Sequence, residues 1–127
     1  MAIAATSQVL YDNTRNCVMQ FTGIADGNDV ENNVVKVDAS ELTPVPQSLK
    51  ITEITYDVNG GIVQLSWAAD NPVPFVNLMG HHTMDYAEIN GMVNAGGDTA
   101  NGDILLSTLG FEAGSSYSIK LRMKKKF

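Results

Sequence analysis

The residues near the C-terminus alternate strictly between apolar and polar side chains, and no other feature of the sequence limits the possible folds as strongly. The apolar positions are Tyr117, Ile119, Leu121 and Met123, and the polar positions among them are Ser118, Lys120, Arg122 and Lys124. Successive side chains of a β-strand point to opposite faces, so this pattern predicts a strand with one buried face. We expect its cations to face solvent or an acidic partner.

A second alternating stretch surrounds the dipeptide Asn59-Gly60. Residues 54–58 and 63–67 each place an apolar side chain at every other position. Asn-Gly favours the left-handed backbone of a two-residue type I′ turn, so we predict that these segments form a β-hairpin, with Gly61 adding a bulge. The alternation also changes phase near Thr52-Glu53, which predicts a bulge or bend there.

Shorter strand-like segments account for much of the remaining chain. They cover residues 17–21, 35–37, 75–79 and 103–108, separated by loops rich in Gly, Asp, Asn and Pro. Residues 84–93 offer at most a short helix, because Asn90-Gly91 interrupts it. We therefore predict an all-β fold, a single antiparallel β-sandwich or jelly-roll-like barrel of about seven to eight short strands. The 127 residues suit one domain spanning 1–127, with a flexible N-terminal arm at about residues 1–6.

The charges are divided unevenly along the chain. Residues 1–119 hold fourteen acids and three Lys or Arg, a balance of 3 − 14 = −11, whereas the last eight residues hold five Lys or Arg. An acidic body lacks the basic face that neutralises phosphates, so we expect no nucleic-acid partner. The basic end is interpreted as a solvated strand edge or a docking point for an acidic neighbour.

The same composition narrows the cellular setting. No stretch approaches the ~18 apolar residues that span a membrane, so we expect no membrane partner. The N-terminal residues lack the basic start and apolar run of a signal peptide, which predicts synthesis in a cytoplasm. The single Cys17 cannot form an intramolecular disulfide, and its phase with Met19 and Phe21 predicts a buried thiol.

The histidine pair His81-His82 with Asp85 is the most tempting candidate for a metal site. Adjacent residues of a strand point to opposite faces and cannot easily share one ion, and a third ligand at a usable spacing is not evident. We therefore interpret both histidines as loop residues.

Two acidic stretches, residues 26–31 and 97–103, superficially resemble calcium loops. Neither has the alternating oxygen ligands of that motif, and Asp, Asn and Gly are ordinary turn residues. No serine nucleophile motif or phosphate-binding glycine motif is present either. We predict that the protein is not an enzyme and that it has no catalytic, cofactor-binding or metal-binding residues.

Trp67 and Tyr86 keep a carbohydrate-binding module open as an alternative, because exposed aromatic rings can stack on sugars. However, Trp67 shares the phase of Val63 and Leu65, which favours a position in the core.

Several segments taken together resemble a family of small virion structural proteins of tailed bacteriophages, of the marine and cyanobacterial phage type. The resembling segments are residues 7–16, 35–40, 54–61, 63–67, 102–108 and 116–125. The resemblance implies a component of the virion, made in the host cytoplasm, whose partners are the major capsid protein or other virion proteins. A compact acidic β-domain suits a capsid decoration (cement) protein, which forms homo-oligomers on the shell. A neck or tail component is the alternative within the same class.

We expect partner contacts at positions that the core does not require. These predicted partner-binding residues lie in the N-terminal segment, in two Val-Pro loops and on the cationic strand: Ala2, Ile3, Val45, Pro46, Val73, Pro74, Lys120, Arg122 and Lys124.

Overall fold

The computed structural model describes residues 4–25, 31–38, 42, 46, 48–69, 71–86, 91 and 103–126. Seven strands account for most of these residues: β1 (Ala4–Asp12), β2 (Asn16–Ile24), β3 (Val34–Val37), β4 (Ser48–Trp67), β5 (Val73–Asp85), β6 (Ile104–Leu109) and β7 (Ser116–Lys126). The described residues contain no helix, and therefore none that could cross a membrane. The all-β prediction is confirmed.

The seven strands form one antiparallel sheet that curls into a nearly closed barrel. Their order is β1-β2-β7-β4-β6-β3, and β5 pairs with the remaining edge of β4. The predicted alternating strand is β7, which lies between β2 and β4. Its apolar face fills the core because Ile119, Leu121 and Met123 are fully buried.

β4 is a single bent strand, so the predicted hairpin at Asn59-Gly60 is wrong. Both halves of β4 pair with β5, and the partners jump from Val58↔Gly80 to Val63↔Leu78. A type I′ turn needs positive φ at both central residues, but only Gly60 has it (φ 83°). The dipeptide instead lies in a bulge formed by residues 59–62, which bends β4 from β7 towards β6.

The second predicted irregularity, near Thr52, is confirmed. The pairing of β4 with β7 shifts between Ile51↔Met123 and Glu53↔Arg122, which leaves Thr52 outside the ladder. Its hydroxyl donates to the carbonyl of Arg122 at 3.0 Å, and its own carbonyl accepts the N–H of Tyr86 at 2.8 Å. The bulge is thus satisfied by hydrogen bonds on both sides.

Two segments predicted to be irregular belong to strands. Ala4–Asp12 is β1, so the predicted flexible arm is wrong for residues 4–6, while residues 1–3 lie outside the described residues. β5 includes the second Val-Pro pair and both histidines, so neither is a loop. The possible helix over 84–93 is also not observed in its described part, since Met84 and Asp85 end β5.

The core is apolar and contains the residues that the alternation assigned to it. Trp67 is fully buried and stacks on Phe75 with ring centroids 4.3 Å apart. Cys17 is likewise fully buried beside Met19 and Phe21. These side chains fill the interior of the barrel, so contacts with other molecules must use its outer surface and its ends.

Candidate partner-binding face

The cations of β7 lie on the outer side of the sheet. Arg122 and Lys124 are exposed and Lys120 is half-buried, because the residues between them point into the core. The neighbouring strands fix their positions along the face. In register, Lys120 lies between Gln20 and Thr55, Arg122 between Val18 and Glu53, and Lys124 between Asn16 and Lys50. The structure thus brings the three predicted cations together with a fourth, Lys50.

The electrostatics of this face differ from those of the whole chain. The chain carries a net charge of −6, yet Lys50 lies directly opposite Lys124 across the β4–β7 pair. Like charges at opposite positions repel, so this arrangement favours an acidic neighbour. Glu53, opposite Arg122, offsets part of the positive charge.

An apolar surface adjoins the cations. Leu10 is 44% exposed and Tyr11 is 53% exposed, and both lie beside Val18 on the neighbouring strand. Leu10, Tyr11 and Val18 line an open groove of about 570 Å³ together with Asn16 and two of the cations, Lys120 and Arg122. Aromatic and aliphatic side chains next to arginine are typical of the energetic centre of a protein interface. We call this groove and its cations the outer face.

The turn between β1 and β2 holds the apolar part in place. The side-chain oxygen of Asn13 accepts the N–H groups of Arg15 and Asn16 at 2.9 and 2.8 Å, and its amide donates to the Tyr11 hydroxyl at 2.7 Å. Sequence reasoning missed Leu10 and Tyr11. The available signal was the apolar run from Val9 to Tyr11, followed directly by an Asp-Asn turn.

Among the other predicted partner-binding residues, the three that the structure describes do not join this face. Pro46 is buried, so the prediction that its side chain lies on a contact surface is wrong. Val73 is half-buried against the core, and its contact with a partner stays a prediction. Pro74 is exposed, but it pairs with Ser66 on the far half of β4. Ala2, Ile3 and Val45 lie outside the described residues.

One lysine of the basic C-terminus points inward and takes no part in the outer face. The Lys125 side chain is fully buried, with its Nζ 2.5 Å from Oδ1 of Asp12. Cys17 lies near this pair, and its burial, with the negative charge of Asp12, raises the pKa of its thiol to about 11. The thiol therefore stays protonated near neutral pH, as expected for a buried small hydrophobe.

A second buried charged group lies where the chain enters β3. Glu31 accepts hydrogen bonds from the Tyr117 hydroxyl at 2.5 Å and from the Lys36 ammonium at 2.7 Å. Burial and the adjacent Glu31 carboxylate raise the pKa of Tyr117 above its ordinary range. This network joins the segment before β3 to β7 through two hydrogen bonds to one carboxylate. Sequence reasoning placed Glu31 in a turn, while residues 26–30 and 97–102 lie outside the described residues.

The remaining candidates do not assemble into a site. His81 and His82 are exposed on β5, and the described residues hold no group of three His, Cys, Asp or Glu placed to bind a metal. Trp67 is buried, as predicted, so it cannot be a sugar platform. Tyr86 is half-buried, and its hydroxyl donates to the sulfur of Met84 at 3.4 Å.

Comparisons with known proteins found distant similarity to the overall shape of solved structures and no similarity in sequence. No protein-family model matches this chain, and no curated protein matches its sequence. One similar solved structure is a cupin domain from Bordetella pertussis Tohama I, with 10% identity and a TM-score of 0.41, covering 100% of this chain and 98% of that one. Another is a cupin superfamily protein from Desulfitobacterium hafniense DCB-2, with 12% identity and a TM-score of 0.37, covering 100% and 82%. These likenesses are too distant to indicate an activity.

Proposed function

We propose that this protein is a non-enzymatic structural component of a tailed-bacteriophage particle, which decorates or cements the capsid shell through protein–protein contacts. The observation that carries the proposal is the outer face, where Arg122 and Lys120 border the exposed Leu10 and Tyr11 on an otherwise acidic chain. The resemblance of six segments to virion structural proteins supports the class of protein.

The construction of the outer face suits a docking surface. Its cations are carried by β7, which is paired on both sides, so their backbone is fixed before a partner arrives. A preformed surface loses less entropy on binding than a flexible one. The face would bind an acidic surface of the major capsid protein or of another virion protein.

Many copies of such a face would act together on a particle. The groove is open and modest in size, so a single contact would be weak. Repetition over a shell raises the effective concentration of each further contact, which gives stable attachment without a large interface.

Charge reversal on purified particles tests the role of the outer face. When Lys120→Glu and Arg122→Glu are combined, we expect the affinity of the protein for the particle, obtained from the number of copies bound, to fall at least about tenfold. We also expect added salt to weaken the attachment of the wild-type protein. The control combines His81→Glu and Thr83→Glu, two exposed positions on β5, and changes the net charge by −2 where the test variant changes it by −4. Unchanged occupancy of the Lys120/Arg122 variant would contradict the role of this face.

Quantitative mass spectrometry of particles tests the class and the location. On the order of hundreds of copies per particle supports capsid decoration. About six or twelve copies would instead place the protein in a neck or tail ring. If the protein is missing from washed particles, the proposed class is wrong.

A further inference from the structure

β1 is the first strand in the order of the sheet, and both of its faces are exposed. Every residue from Ala5 to Tyr11 is exposed, including those on the side that faces the interior in the neighbouring strand. Val9, for example, is 46% exposed although it pairs with the buried Met19. Within the described part of the chain, β1 pairs with β2 along one edge, and its second edge has no partner strand. A strand of this kind contributes little to the core of its own domain.

The second edge of β1 also lacks the features that usually prevent strands from pairing with other chains. Proteins protect such edges with short strands, prolines, lysines or strong bulges. Two other edge strands follow this rule: β3 has only four residues and includes Lys36, and β5 includes Pro74 and Gly80. β1 has nine residues, and its only irregularity is a shift at Leu10. It contains no Pro, Gly, Lys or Arg.

We propose that β1 pairs in antiparallel fashion with β1 of a second copy, so that two sheets become one across a two-fold axis. The distribution of charge selects a second copy as the occupant. Each chain has a net charge of −6, but residues 4–11 hold no charged side chain, so two acidic copies meet here without opposing like charges. This inference does not depend on the proposed function.

The shape of the strand is also self-complementary. The register that uses all nine residues is centred on Gln8, whose amide can both donate to and accept from its own symmetry mate. In that register the larger side chains Val9, Leu10 and Tyr11 lie opposite the smaller Ser7, Thr6 and Ala5 of the second copy. Large side chains opposite small ones fill space without clashes.

The first experiment is sedimentation velocity of the full chain over a range of concentrations. We expect a dimer, and we expect Val9→Lys to raise its dissociation constant at least about tenfold, because an edge lysine blocks strand addition. Met79→Lys is the matched control, since Met79 is 59% exposed on β5. Circular dichroism should show that both variants remain folded. A monomer at every concentration, or a dimer that Val9→Lys leaves unchanged, overturns the proposal.

The second experiment is disulfide crosslinking, which tests the two-fold axis directly. The Cα atoms of directly opposed residues in paired strands are about 4.5–5.5 Å apart, a separation that a disulfide can bridge. Gln8→Cys should therefore form a covalent dimer under mild oxidation. Gln20→Cys should not, because Gln20 pairs with Gln8 one strand further in, and its symmetry mate would be three strand spacings, about 14 Å, away.

The outcomes separate this inference from the proposed function. A monomer without crosslinking overturns self-pairing even if particles protect the β1 amides from hydrogen exchange, since another protein would then occupy the edge. A crosslinked dimer that does not bind particles supports self-pairing and contradicts the proposed function instead.

Discussion

At the scale of single residues, Glu31 is a buried carboxylate whose charge is balanced by the groups packed against it. A carboxylate out of water is costly unless it is paired, and here its two oxygens receive separate donors, Tyr117 and Lys36. The Lys36 ammonium also lies 5.9 Å from the centre of the Tyr117 ring. Both hydrogen bonds end on the same carboxylate, so removal of one donor leaves that carboxylate with only one partner of the network.

Tyr117→Phe should lower the free energy of unfolding by about 1.5–3 kcal/mol, the range for a hydrogen bond to a charged group. Phenylalanine keeps the ring in place, so the change isolates the hydroxyl. Urea unfolding monitored by the fluorescence of Trp67 measures the difference. Tyr11→Phe is the control, and its effect should stay within about 0.5 kcal/mol because Tyr11 is exposed.

The stabilities of the wild-type protein and the Tyr117→Phe variant should depend differently on alkaline pH. The pKa of Tyr117 is raised in the fold, so the unfolded chain loses this proton first, near the ordinary value of 10.0. The stabilisation is complete below that pH and is lost as the pH rises above it. The difference between wild type and Tyr117→Phe should therefore shrink above about pH 10. A difference that grows there would contradict the assignment of the hydrogen bond.

At the scale of elements, alternation predicted the strands that have one face in the core. β7 was predicted closely because burial of one face dictates every second residue. The turn at Asn59-Gly60 was misjudged because the dipeptide is compatible with both a hairpin and a bulge. The pairing of both halves of β4 with β5 decides between them, and that pairing depends on residues distant in sequence.

β1 shows why part of the candidate site could not be predicted. Neither face of β1 packs in the core of the domain, so burial does not require apolar and polar residues to alternate along this strand. Val9, Leu10 and Tyr11 accordingly follow one another without polar residues between them. The cations of the outer face were predictable from β7. The apolar run from Val9 to Tyr11 was visible in the sequence, but its position beside these cations was not, because the pairing of β1 with β2 brings it there.

The bend of β4 depends on Gly60, and Gly60→Ala tests this. Gly60 has a φ of 83°, and a Cβ there would lie 2.5 Å from Oγ of Ser115, whose hydroxyl donates to the Gly60 carbonyl at 3.1 Å. We expect the substitution to cost roughly 1–2 kcal/mol for the left-handed backbone and about 1–3 kcal/mol more for the clash.

Gly110→Ala is the matched control for the bend. Gly110 has a similar φ of 72°, but a Cβ there would meet nothing within 4 Å. Thermal and urea unfolding should therefore show the backbone cost alone, about 1–2 kcal/mol. Equal losses at the two glycines would mean that the close packing of Ser115 on the bend does not matter.

At the scale of the whole molecule, the two ends of the chain have opposite roles. β7, the last strand, joins β2 to β4 and so connects the early strands to the rest of the sheet. β1, the first described strand, lies at the end of the sheet order. The ion pair of Lys125 with Asp12 links the turn end of the β1–β2 hairpin to β7. The barrel therefore depends on its C-terminal strand far more than on β1.

Two truncations should separate these roles. Removal of residues 116–127 takes away four buried apolar side chains, Tyr117, Ile119, Leu121 and Met123. At about 1.5–3 kcal/mol each, their loss of about 6–12 kcal/mol is comparable to the entire stability of a domain, about 5–15 kcal/mol. This chain should not fold. Removal of residues 1–11 deletes only exposed side chains among those described and keeps Asp12 for Lys125, so this chain should unfold cooperatively in urea with Trp67 still buried.

Near-ultraviolet circular dichroism and the emission maximum of Trp67, the only tryptophan, distinguish the two chains. If the chain without residues 1–11 lacks fixed tertiary structure, β1 belongs to the core after all, and its exposed faces are not available for a partner. If it folds, sedimentation velocity on the same sample should show a monomer, because the strand that joins the copies is missing. Deletions of nearly equal length thus have opposite outcomes, because β1 is an exposed edge strand whereas β7 lies inside the sheet with one face in the core.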